Sequence, residues 1–461
     1  MPVFERETPL PATAADVFAY HATTGAFSRL SPPFDTNRIV TPLPSLSEGA
    51  VAEFDVVIGP ASVRWRAKHH GVRDGSDGGD AGFVDTMERG PFSSWRHEHI
   101  FRHVDDAHSV LVDRISWEAL PGAGLVVPQR LERMFAYRHA VTRDDLQLRR
   151  DLGAPQPLVI GVTGASGLIG RELTALLRVL GHDVRAFHRL DPKHPGNKAP
   201  KGTIGWTPST GEVDVDAASA LDAVVHLAGE NIGEGRLDDA KKKRLYEQRV
   251  EQTKKLLASL AKLPAPPKVV VGASAVGFYG DRGDEHLDED SAPGEGFLPR
   301  FCVDWQNAVL SPGPWRAVTT RIGLVLSPAG GALGKVLPLF KAGLGGPLGD
   351  GTSWMPTIGV DDVADVIARA VFDERVVGVV NACGPTPLRN SAYTKMLGHV
   401  LHRPAVLPVP RFALKVALGD FGDNVLDSAR ATSKRLVEVG HRFRHVDAEH
   451  AVRHLLGEHD R

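Results

Sequence analysis

Three glycines in the middle of the chain have the spacing of a phosphate-binding turn. Gly164, Gly167 and Gly170 stand at three-residue intervals, directly after the β-branched run 158–163. This pattern predicts a strand, a tight turn and the start of a helix, whose free N–H groups would face an anion. A helical pattern and then the strand-like segment 183–187 follow, which is the context that a dinucleotide-binding motif requires. The alternative is a glycine-rich loop in some other α/β protein.

The residues after the second predicted strand indicate which dinucleotide is bound. NAD sites place a carboxylate there, about 20 residues beyond the glycines, to accept a hydrogen bond from the ribose 2′-OH. This chain has His188 and Arg189 instead, and Arg189 comes 19 positions after Gly170. A guanidinium favours a 2′-phosphate through charge-assisted hydrogen bonds, which predicts NADP(H). Two alternatives stay open: Arg189 as a solvated surface residue, and Asp191 as the carboxylate of an NAD site.

Alternating strands and helices must position these groups. The sequence predicts strands at 158–163, 183–187, 222–227, 268–272 and 316–326, and a long helix over 238–263. This alternation predicts an α/β fold with a doubly wound parallel sheet. Ligands of such sheets bind beyond the carboxyl ends of the strands. The segments predicted at those ends are 164–170, 188–189, 227–229 and 273–275.

Several motifs carry a family resemblance through the rest of the chain. They are 163–170 (TGASGLIG), 226–232 (HLAGENI), 274–280 (SAVGFYG), 343–349 (GLGGPLG) and 434–440 (KRLVEVG). With them, this half resembles the NAD-dependent epimerase/dehydratase superfamily, in particular an atypical short-chain dehydrogenase group with a small C-terminal domain of unknown function. The resemblance implies a Rossmann domain that binds NADP(H), predicted over 158–385, and a C-terminal substrate-side lobe over 386–461.

The resemblance also implies which residues contact the cofactor. They are Ser166, Leu168, Ile169, His188, Arg189, Leu227 and Ala228, together with the turn glycines Gly164, Gly167 and Gly170. Gly229, which follows the strand 222–227, completes the loop at that strand end. Arg249 matches an arginine that such proteins place near the cofactor, and Leu324 falls where the family contacts the nicotinamide side. The alternative for Arg249 is one more charge on a solvated helix face.

The expected catalytic groups depart from the family pattern. A short-chain dehydrogenase uses a Ser with Tyr-x-x-x-Lys, in which the Lys lowers the pKa of the Tyr so that the phenol can exchange a proton. Ser274 fits the Ser, but Leu298 and Cys302 occupy the Tyr and Lys positions. Ser274 and Tyr279 are therefore the predicted catalytic residues, with a packing aromatic in a turn as the alternative for Tyr279. We expect Cys302 to be a buried small residue, because no partner base is recognisable.

Residues 1–150 form a second predicted domain, because the composition changes at 151–157. Strand, short helix, several strands and a long helix that starts near Val127 follow one another, which predicts an α+β helix-grip domain. This half resembles the START-like, polyketide-cyclase-like family, whose members usually hold apolar ligands between sheet and helix. This half contains Trp65, Trp95 and Trp117. Either these tryptophans line such a cavity, or they simply form the core.

Polar residues of the same half also follow a strand pattern. His97 and His99 are expected to share one face of a strand, and Asp113 or Arg114 to pair with a charge on a neighbouring strand. Because no nucleophile–base pair is recognisable, we expect binding rather than chemistry in this domain.

Composition limits the remaining function classes. The 461 residues carry a net charge of −2, which gives no indication of nucleic-acid binding. Two cysteines cannot form a disulfide framework, and no Cys/His spacing predicts a metal site. No apolar run is long enough to span a bilayer, so a cytoplasmic location is expected.

Together these observations predict an NADP(H)-binding, epimerase-like oxidoreductase that acts on a small-molecule substrate and carries an apolar ligand in its N-terminal domain. The alternatives are a redox sensor that binds NADP(H) without turnover and a carrier protein for an apolar molecule. The sequence names neither the substrate nor the oligomeric state.

Overall fold

The computed structural model describes residues 1–35, 37–39, 46–58, 61–119, 127–191 and 198–458. They divide into two compact units. The first comprises Met1–Gln156, Ala175–His182 and His454–Arg461, and the second comprises Pro157–Thr174 and Asp183–Arg453. Every helix within the described residues is too short or too polar to cross a membrane.

The first unit is built on a seven-stranded antiparallel sheet. Its strands are β1 (Val3–Leu10), β2 (Asn37–Ile39), β3 (Val51–Ile58), β4 (Ala61–Arg73), β5 (Ala81–Arg89), β6 (Phe92–Asp105) and β7 (His108–Ala119). They lie in the spatial order β1-β7-β6-β5-β4-β3-β2. Its helices include α1 (Ala14–Ala22), α2 (Ala26–Arg29) and the long α3 (Val127–Asp151). The predicted order of strand, helix, sheet and long helix is confirmed, while the START-like assignment stays a prediction.

The three tryptophans of this unit pack together. Trp95 and Trp117 are buried in one apolar cluster with Phe135 of α3, and Trp65 packs against that cluster. The rings of Trp65 and Trp95 meet edge to face, with centroids 5.1 Å apart. These contacts are those of core residues, and the predicted apolar ligand stays untested.

The second unit is built on a seven-stranded parallel sheet. Its strands and the smaller pairings around it are β8 (Val159–Thr163), β9 (Asp183–Arg189), β10 (Ile204–Trp206), β11 (Ala223–His226), β12 (Val269–Ala275), β13 (His286–Leu287), β14 (Arg316–Ile322), β15 (Leu324–Leu326), β16 (Trp354–Met355), β17 (Thr357–Gly359), β18 (Gly378–Ala382), β19 (Leu388–Arg389) and β20 (Arg430–Ala431). The large sheet has the order β10-β9-β8-β11-β12-β14-β18, and each of its pairings is parallel. This is the doubly wound order: successive strands are added to one side of β8 and then, from β11 onward, to its other side. The predicted Rossmann-type fold is confirmed.

Helices alternate with these strands. They are α4 (Leu168–Val179), α5 (Val215–Ala218), α6 (Asp239–Tyr246), α7 (Gln252–Leu260), α8 (Phe297–Val309), α9 (Gly331–Lys341), α10 (Val360–Phe372), α11 (Asn390–Val400), α12 (Arg411–Leu418), α13 (Phe421–Asn424), α14 (Lys434–Glu438) and α15 (Ala448–Leu456). A 3₁₀ turn, Val276–Phe278, follows β12.

Two predicted elements are divided in the structure. The helix predicted over 238–263 consists of α6 and α7 joined by a π-helical turn, Glu247–Glu251. The strand predicted over 316–326 is split at Gly323 into β14 and β15, and β15 leaves the large sheet to pair with β17. A side chain at Gly323 would lie 2.3 Å from the carbonyl oxygen of Pro356, so the close approach of these two segments requires glycine.

Candidate functional site

The glycine turn connects β8 to α4, and its three glycines meet three different requirements. Gly164 has φ +67°, a left-handed conformation that favours glycine. A Cβ atom on Gly170 would lie 2.1 Å from the Gly164 carbonyl oxygen, so Gly170 permits helix and turn to pack. Gly167 and Ser166 are exposed, and among the described residues a Cβ on Gly167 would meet only the Gly164 oxygen, at 3.2 Å. The surface at Gly167 is therefore open at the N-terminus of α4.

Thr163, the last residue of β8, fixes the loop that follows β11. Its Oγ1 accepts hydrogen bonds from the backbone N–H groups of Leu227 (3.0 Å) and Ala228 (3.1 Å). Because the oxygen accepts twice, its own proton is directed to His226 Nδ1 at 2.8 Å, and His226 Nε2 donates to Thr253 Oγ1 at 2.9 Å. Burial lowers the pKa of His226 to about 3, so the imidazole is neutral and held in one tautomer.

Arg249 lies in the π-helical turn and packs against the loop 227–229. Its Nη2 donates to the Glu230 carbonyl oxygen at 3.1 Å, and its Cζ lies 4.3 Å from the ring centroid of Trp305. A Cβ on Gly229 would lie 2.2 Å from Arg249 Nε, so glycine lets the guanidinium reach the loop backbone. Burial lowers the pKa of Arg249 to about 10. Arg249 is thus separate from the solvated charges of this helix.

His188 and Arg189 end β9, which lies beside β8 in the sheet. Because the two strands are parallel, their carboxyl ends meet at one edge, so Arg189 lies on the same edge as the glycine turn. Arg189 is exposed, and its guanidinium forms no hydrogen bond or ion pair with any residue that the structure describes. Asp191 is also exposed, two residues beyond the strand.

Ser274 lies near the carboxyl end of β12, opposite Arg321 of β14 in the register. Its hydroxyl is buried and lies 3.5 Å from the backbone oxygen of Cys302. This long contact leaves the hydroxyl only weakly engaged by the described residues.

Tyr279 is fully buried, and its hydroxyl already has three partners. It accepts from Arg321 Nη1 at 2.8 Å, and it lies 2.6 Å from the Asp288 carbonyl oxygen and 2.9 Å from Asn381 Oδ1. Burial raises the pKa of Tyr279 to about 12, against the opposing charge of Arg321. These contacts are those of the packing aromatic named as the alternative, and the catalytic role of Tyr279 stays a prediction.

Glu289 is a buried residue that sequence reasoning missed. Its Oε1 accepts from the backbone N–H of Asn381 at 2.9 Å and from Ser433 Oγ at 2.7 Å, and its Oε2 accepts from the backbone N–H of Lys434 at 3.0 Å. Through these bonds Glu289 joins β18 to the start of α14. The groups that donate to its carboxylate lie 92 to 145 residues away along the chain, so no local sequence pattern predicts the role of Glu289.

Leu298 and Cys302 lie one turn apart on α8, and both are buried. Gly277 lies against them, because a Cβ there would be 3.6 Å from Cys302 Sγ and 3.9 Å from the Leu298 Cβ. Cys302 is buried as expected, and burial raises the pKa of its thiol to about 12. Leu324 starts β15, where it is half-buried and its backbone N–H donates to the Pro356 oxygen at 2.8 Å.

Two parts of the chain match known protein families. Residues 160–383 match the NAD dependent epimerase/dehydratase family, and residues 409–455 match a domain of unknown function. An epimerase family protein of Mycobacterium bovis is 38% identical over 290 residues, which cover 62% of this chain and 94% of that protein.

Two solved structures are also similar. A nucleoside-diphosphate sugar epimerase from Corynebacterium glutamicum is 31% identical with a TM-score of 0.79, covering 98% of this chain and 90% of that one. The human epimerase family protein SDR39U1, solved with NADPH, is 29% identical with a TM-score of 0.58, covering 65% of this chain and 99% of that one.

Proposed function

Because this chain belongs to the NAD-dependent epimerase/dehydratase family, we propose that it binds NADP(H) at the carboxyl edge of its parallel sheet and exchanges hydride with a small molecule. The observation that carries the proposal is the glycine turn. Gly170 is closed by packing, whereas Gly167 and Ser166 leave an open surface at the N-terminus of α4. Free N–H groups and the helix dipole at such a terminus stabilise a pyrophosphate.

Arg249 supports the same placement. It lies behind the loop 227–229, and its Nε is a buried donor without a hydrogen-bond partner among the described residues. A half-buried cation with one buried, unpartnered donor is costly, and a nearby dianion would offset that cost. The π-helical turn that carries Arg249 is a feature often found at functional sites.

We assign the preference for NADP(H) over NAD(H) to Arg189, which is exposed and free to contact a 2′-phosphate. Calorimetry with NADPH and NADH tests this on the wild type and Arg189→Ala. Loss of a charged hydrogen bond should weaken NADPH by about 1.5–3 kcal/mol, or roughly 10- to 150-fold, and leave NADH unchanged. Arg185→Ala is the matched control, because Arg185 lies on the same strand but pairs with Asp183 at 3.0 Å. Equal affinity of the wild type for both dinucleotides would contradict the assignment.

A bound nicotinamide would supply or accept the hydride, and Ser274 is the group we assign to the substrate oxygen. Its weakly engaged hydroxyl can donate a hydrogen bond there. General acid–base catalysis contributes about 10²- to 10⁴-fold in rate, and Leu298 and Cys302 cannot supply it as a Tyr–Lys pair does. We therefore expect slow turnover. The substrate panel starts from nucleoside-diphosphate sugars, the class named for the Corynebacterium glutamicum relative.

The second candidate function is an NADP(H)-binding sensor without turnover. It is favoured by the apolar pair Leu298 and Cys302 and by the occupied hydroxyl of Tyr279. One measurement distinguishes the two functions. Protein that has been shown to bind NADPH is incubated with each compound of the substrate panel, and the oxidation of NADPH is followed. Tight binding with no oxidation would favour the sensor.

A further inference from the structure

A group of buried histidines with one buried and one half-buried aspartate lies on one face of the first unit's sheet. Side chains alternate between the faces of a strand, so His97 and His99 of β6 point the same way, and both are buried. The register places Asp85 of β5 opposite His97, and Asp113 of β7 opposite His99. It also places His69 of β4 opposite Asp85. Five ionisable side chains from four neighbouring strands thus form one cluster, named here the His–Asp cluster.

Atoms of the His–Asp cluster are close enough to share a cation. One donor atom from each of Asp85, His97 and His99 can be chosen so that all three lie within 4.8 Å of one another. His99 Nε2 lies 3.3 Å from Asp85 Oδ2, and His69 Nε2 lies 3.0 Å from Asp85 Oδ1. Ligands held at about 2.0–2.2 Å from one metal ion stand about 3–3.5 Å apart, which the 3.3 Å between His99 Nε2 and Asp85 Oδ2 matches.

Two of the short approaches lack the geometry of hydrogen bonds. His99 Nδ1 lies 2.7 Å from Asp113 Oδ1, and His69 Nε2 lies 3.0 Å from Asp85 Oδ1. As a result, His99 Nδ1 and Asp85 Oδ1 are buried atoms without a hydrogen-bond partner among the described residues. His69 Nδ1 is a third such atom. An unsatisfied buried polar atom costs about 1–3 kcal/mol. A cation in contact with Asp85 would satisfy its unpaired oxygen.

Asp113 forms hydrogen bonds that fix the orientation of two imidazole rings, those of His97 and His139. Its Oδ1 accepts from His97 Nε2 at 2.7 Å, and its Oδ2 accepts from His139 Nε2 at 2.8 Å. His139 is held in turn by Thr8 Oγ1, 2.9 Å from its Nδ1. Metal-binding histidines commonly donate their second N–H to such a carboxylate, which fixes the ring and its tautomer. With Nε2 committed to Asp113, His97 is left with Nδ1 for an ion.

The His–Asp cluster and the charged groups around it have a net negative charge, which favours binding of a cation. Arg138 and His139 of α3 and His21 of α1 face Asp85 and Asp113 from the helices. Two carboxylates and one guanidinium sum to −1 when the imidazoles are neutral. A divalent ion would reverse that negative charge, and a protonated imidazole is the alternative that would cancel it.

We propose that Asp85, His97 and His99 bind one divalent transition-metal ion, with Asp113 as the carboxylate that positions the His97 ring. Two imidazoles and one carboxylate suit Zn²⁺ and neighbouring first-row ions, whereas Mg²⁺ and Ca²⁺ prefer oxygen ligands. Three protein ligands leave a coordination position open to water or to an oxygen atom of a bound molecule. Spacing along the chain predicts no metal site, because Asp85 lies on β5 and the two histidines lie on β6.

The metal content of the intact, tag-free chain tests the proposal. After dialysis against a chelator and loading with Zn²⁺, we expect about one zinc retained per chain, measured by mass spectrometry of the element. X-ray absorption of the zinc-loaded chain should show nitrogen and oxygen ligands at about 2.0–2.2 Å with imidazole scattering. Co²⁺ in its place should give visible d–d absorption bands.

Three variants separate this site from adventitious binding to surface histidines. Asp85→Asn keeps the side-chain shape and should weaken zinc binding by more than about 100-fold, while Asp113→Asn should cost about 10- to 100-fold. His103→Ala removes an exposed histidine from the same strand β6 and should bind zinc like the wild type. Circular dichroism checks that each variant folds.

A wild-type chain that retains no zinc would overturn the proposal and leave a protonated hydrogen-bond network in its place. Zinc retention by Asp85→Asn equal to that of the wild type would overturn it as well. If Asp85→Asn does not fold, the ligand shell in the wild-type X-ray absorption spectrum decides the question, because surface binding would show no single set of two imidazoles and a carboxylate.

Discussion

Substitution of two turn glycines should separate cofactor binding from folding. At Gly170 a new Cβ would lie 2.1 Å from the Gly164 oxygen and 2.9 Å from the Ala165 Cα, and both are backbone atoms that cannot rotate away. The helix or the turn must therefore move by more than 1 Å at a buried position. Overpacking of this kind costs about 1–3 kcal/mol. We expect Gly170→Ala to lower the free energy of unfolding by at least that amount and to lose NADPH binding as well.

At Gly167 the same change meets much less resistance. A Cβ there would approach one atom, the Gly164 oxygen, at 3.2 Å, and φ lies outside the left-handed region. The free energies of unfolding of Gly167→Ala and Gly167→Val should therefore lie within about 0.5 kcal/mol of the wild-type value. A branched side chain would still occupy the surface where a pyrophosphate approaches the backbone. We expect Gly167→Val to weaken NADPH at least 100-fold, or about 2.7 kcal/mol, with Gly167→Ala in between.

The assay combines urea unfolding with calorimetric titration of NADPH for the wild type and the three variants. Each variant serves as a control for the others, because all add a side chain to the same turn. Wild-type affinity in Gly167→Val would show that this turn is not the phosphate site. Equal stability of Gly170→Ala and Gly167→Ala would refute the reasoning from backbone contacts.

The remaining predictions concern Ser274, Tyr279, His226 and the first unit. Ser274→Ala should reduce any NADPH oxidation while sparing NADPH affinity, and unchanged turnover would remove Ser274 from the mechanism. Tyr279→Phe should instead lower the free energy of unfolding by about 1–3 kcal/mol, because Arg321 and Asn381 lose a buried partner; a Tyr279→Phe variant as stable as the wild type but inactive would restore Tyr279 as a catalytic residue. The pKa of His226 is about 3 in the folded chain and ordinarily about 6.5. Between about pH 3 and pH 6.5, His226 is therefore protonated in the unfolded chain but neutral in the folded chain. Stability should fall as the pH falls from about 6.5 towards 3, and His226→Gln should flatten that dependence in urea titrations; an unchanged slope would contradict the buried neutral ring. Finally, a fluorescent fatty acid added to the intact chain should change the tryptophan emission of the first unit if it binds there, whereas unaltered emission and no retained probe would indicate a filled core.

Local sequence patterns were sufficient for the parallel sheet and for the phosphate-binding turn. The β-branched run before Gly164 and the spacing to Gly170 encode a strand, a turn and a helix that are adjacent along the chain, and such features depend on backbone sterics. The parallel direction of the strands followed from the alternation of strands and helices, because a helix between two strands returns the chain to the same end of the sheet. Alternation also placed His97 and His99 on one face, which the structure confirms.

Tertiary structure alone decided how the polar side chains are used. Tyr279 stands beside Ser274 in sequence, yet its hydroxyl is occupied by Arg321 and Asn381, which lie 42 and 102 residues away. The His–Asp cluster depends on the pairing of β4, β5, β6 and β7, and the sequence shows the face of each residue but not its partner across the strands. Local patterns specify which side of an element is buried. Which polar groups meet inside depends on register and on contacts between distant segments, and these are set only when the whole unit packs.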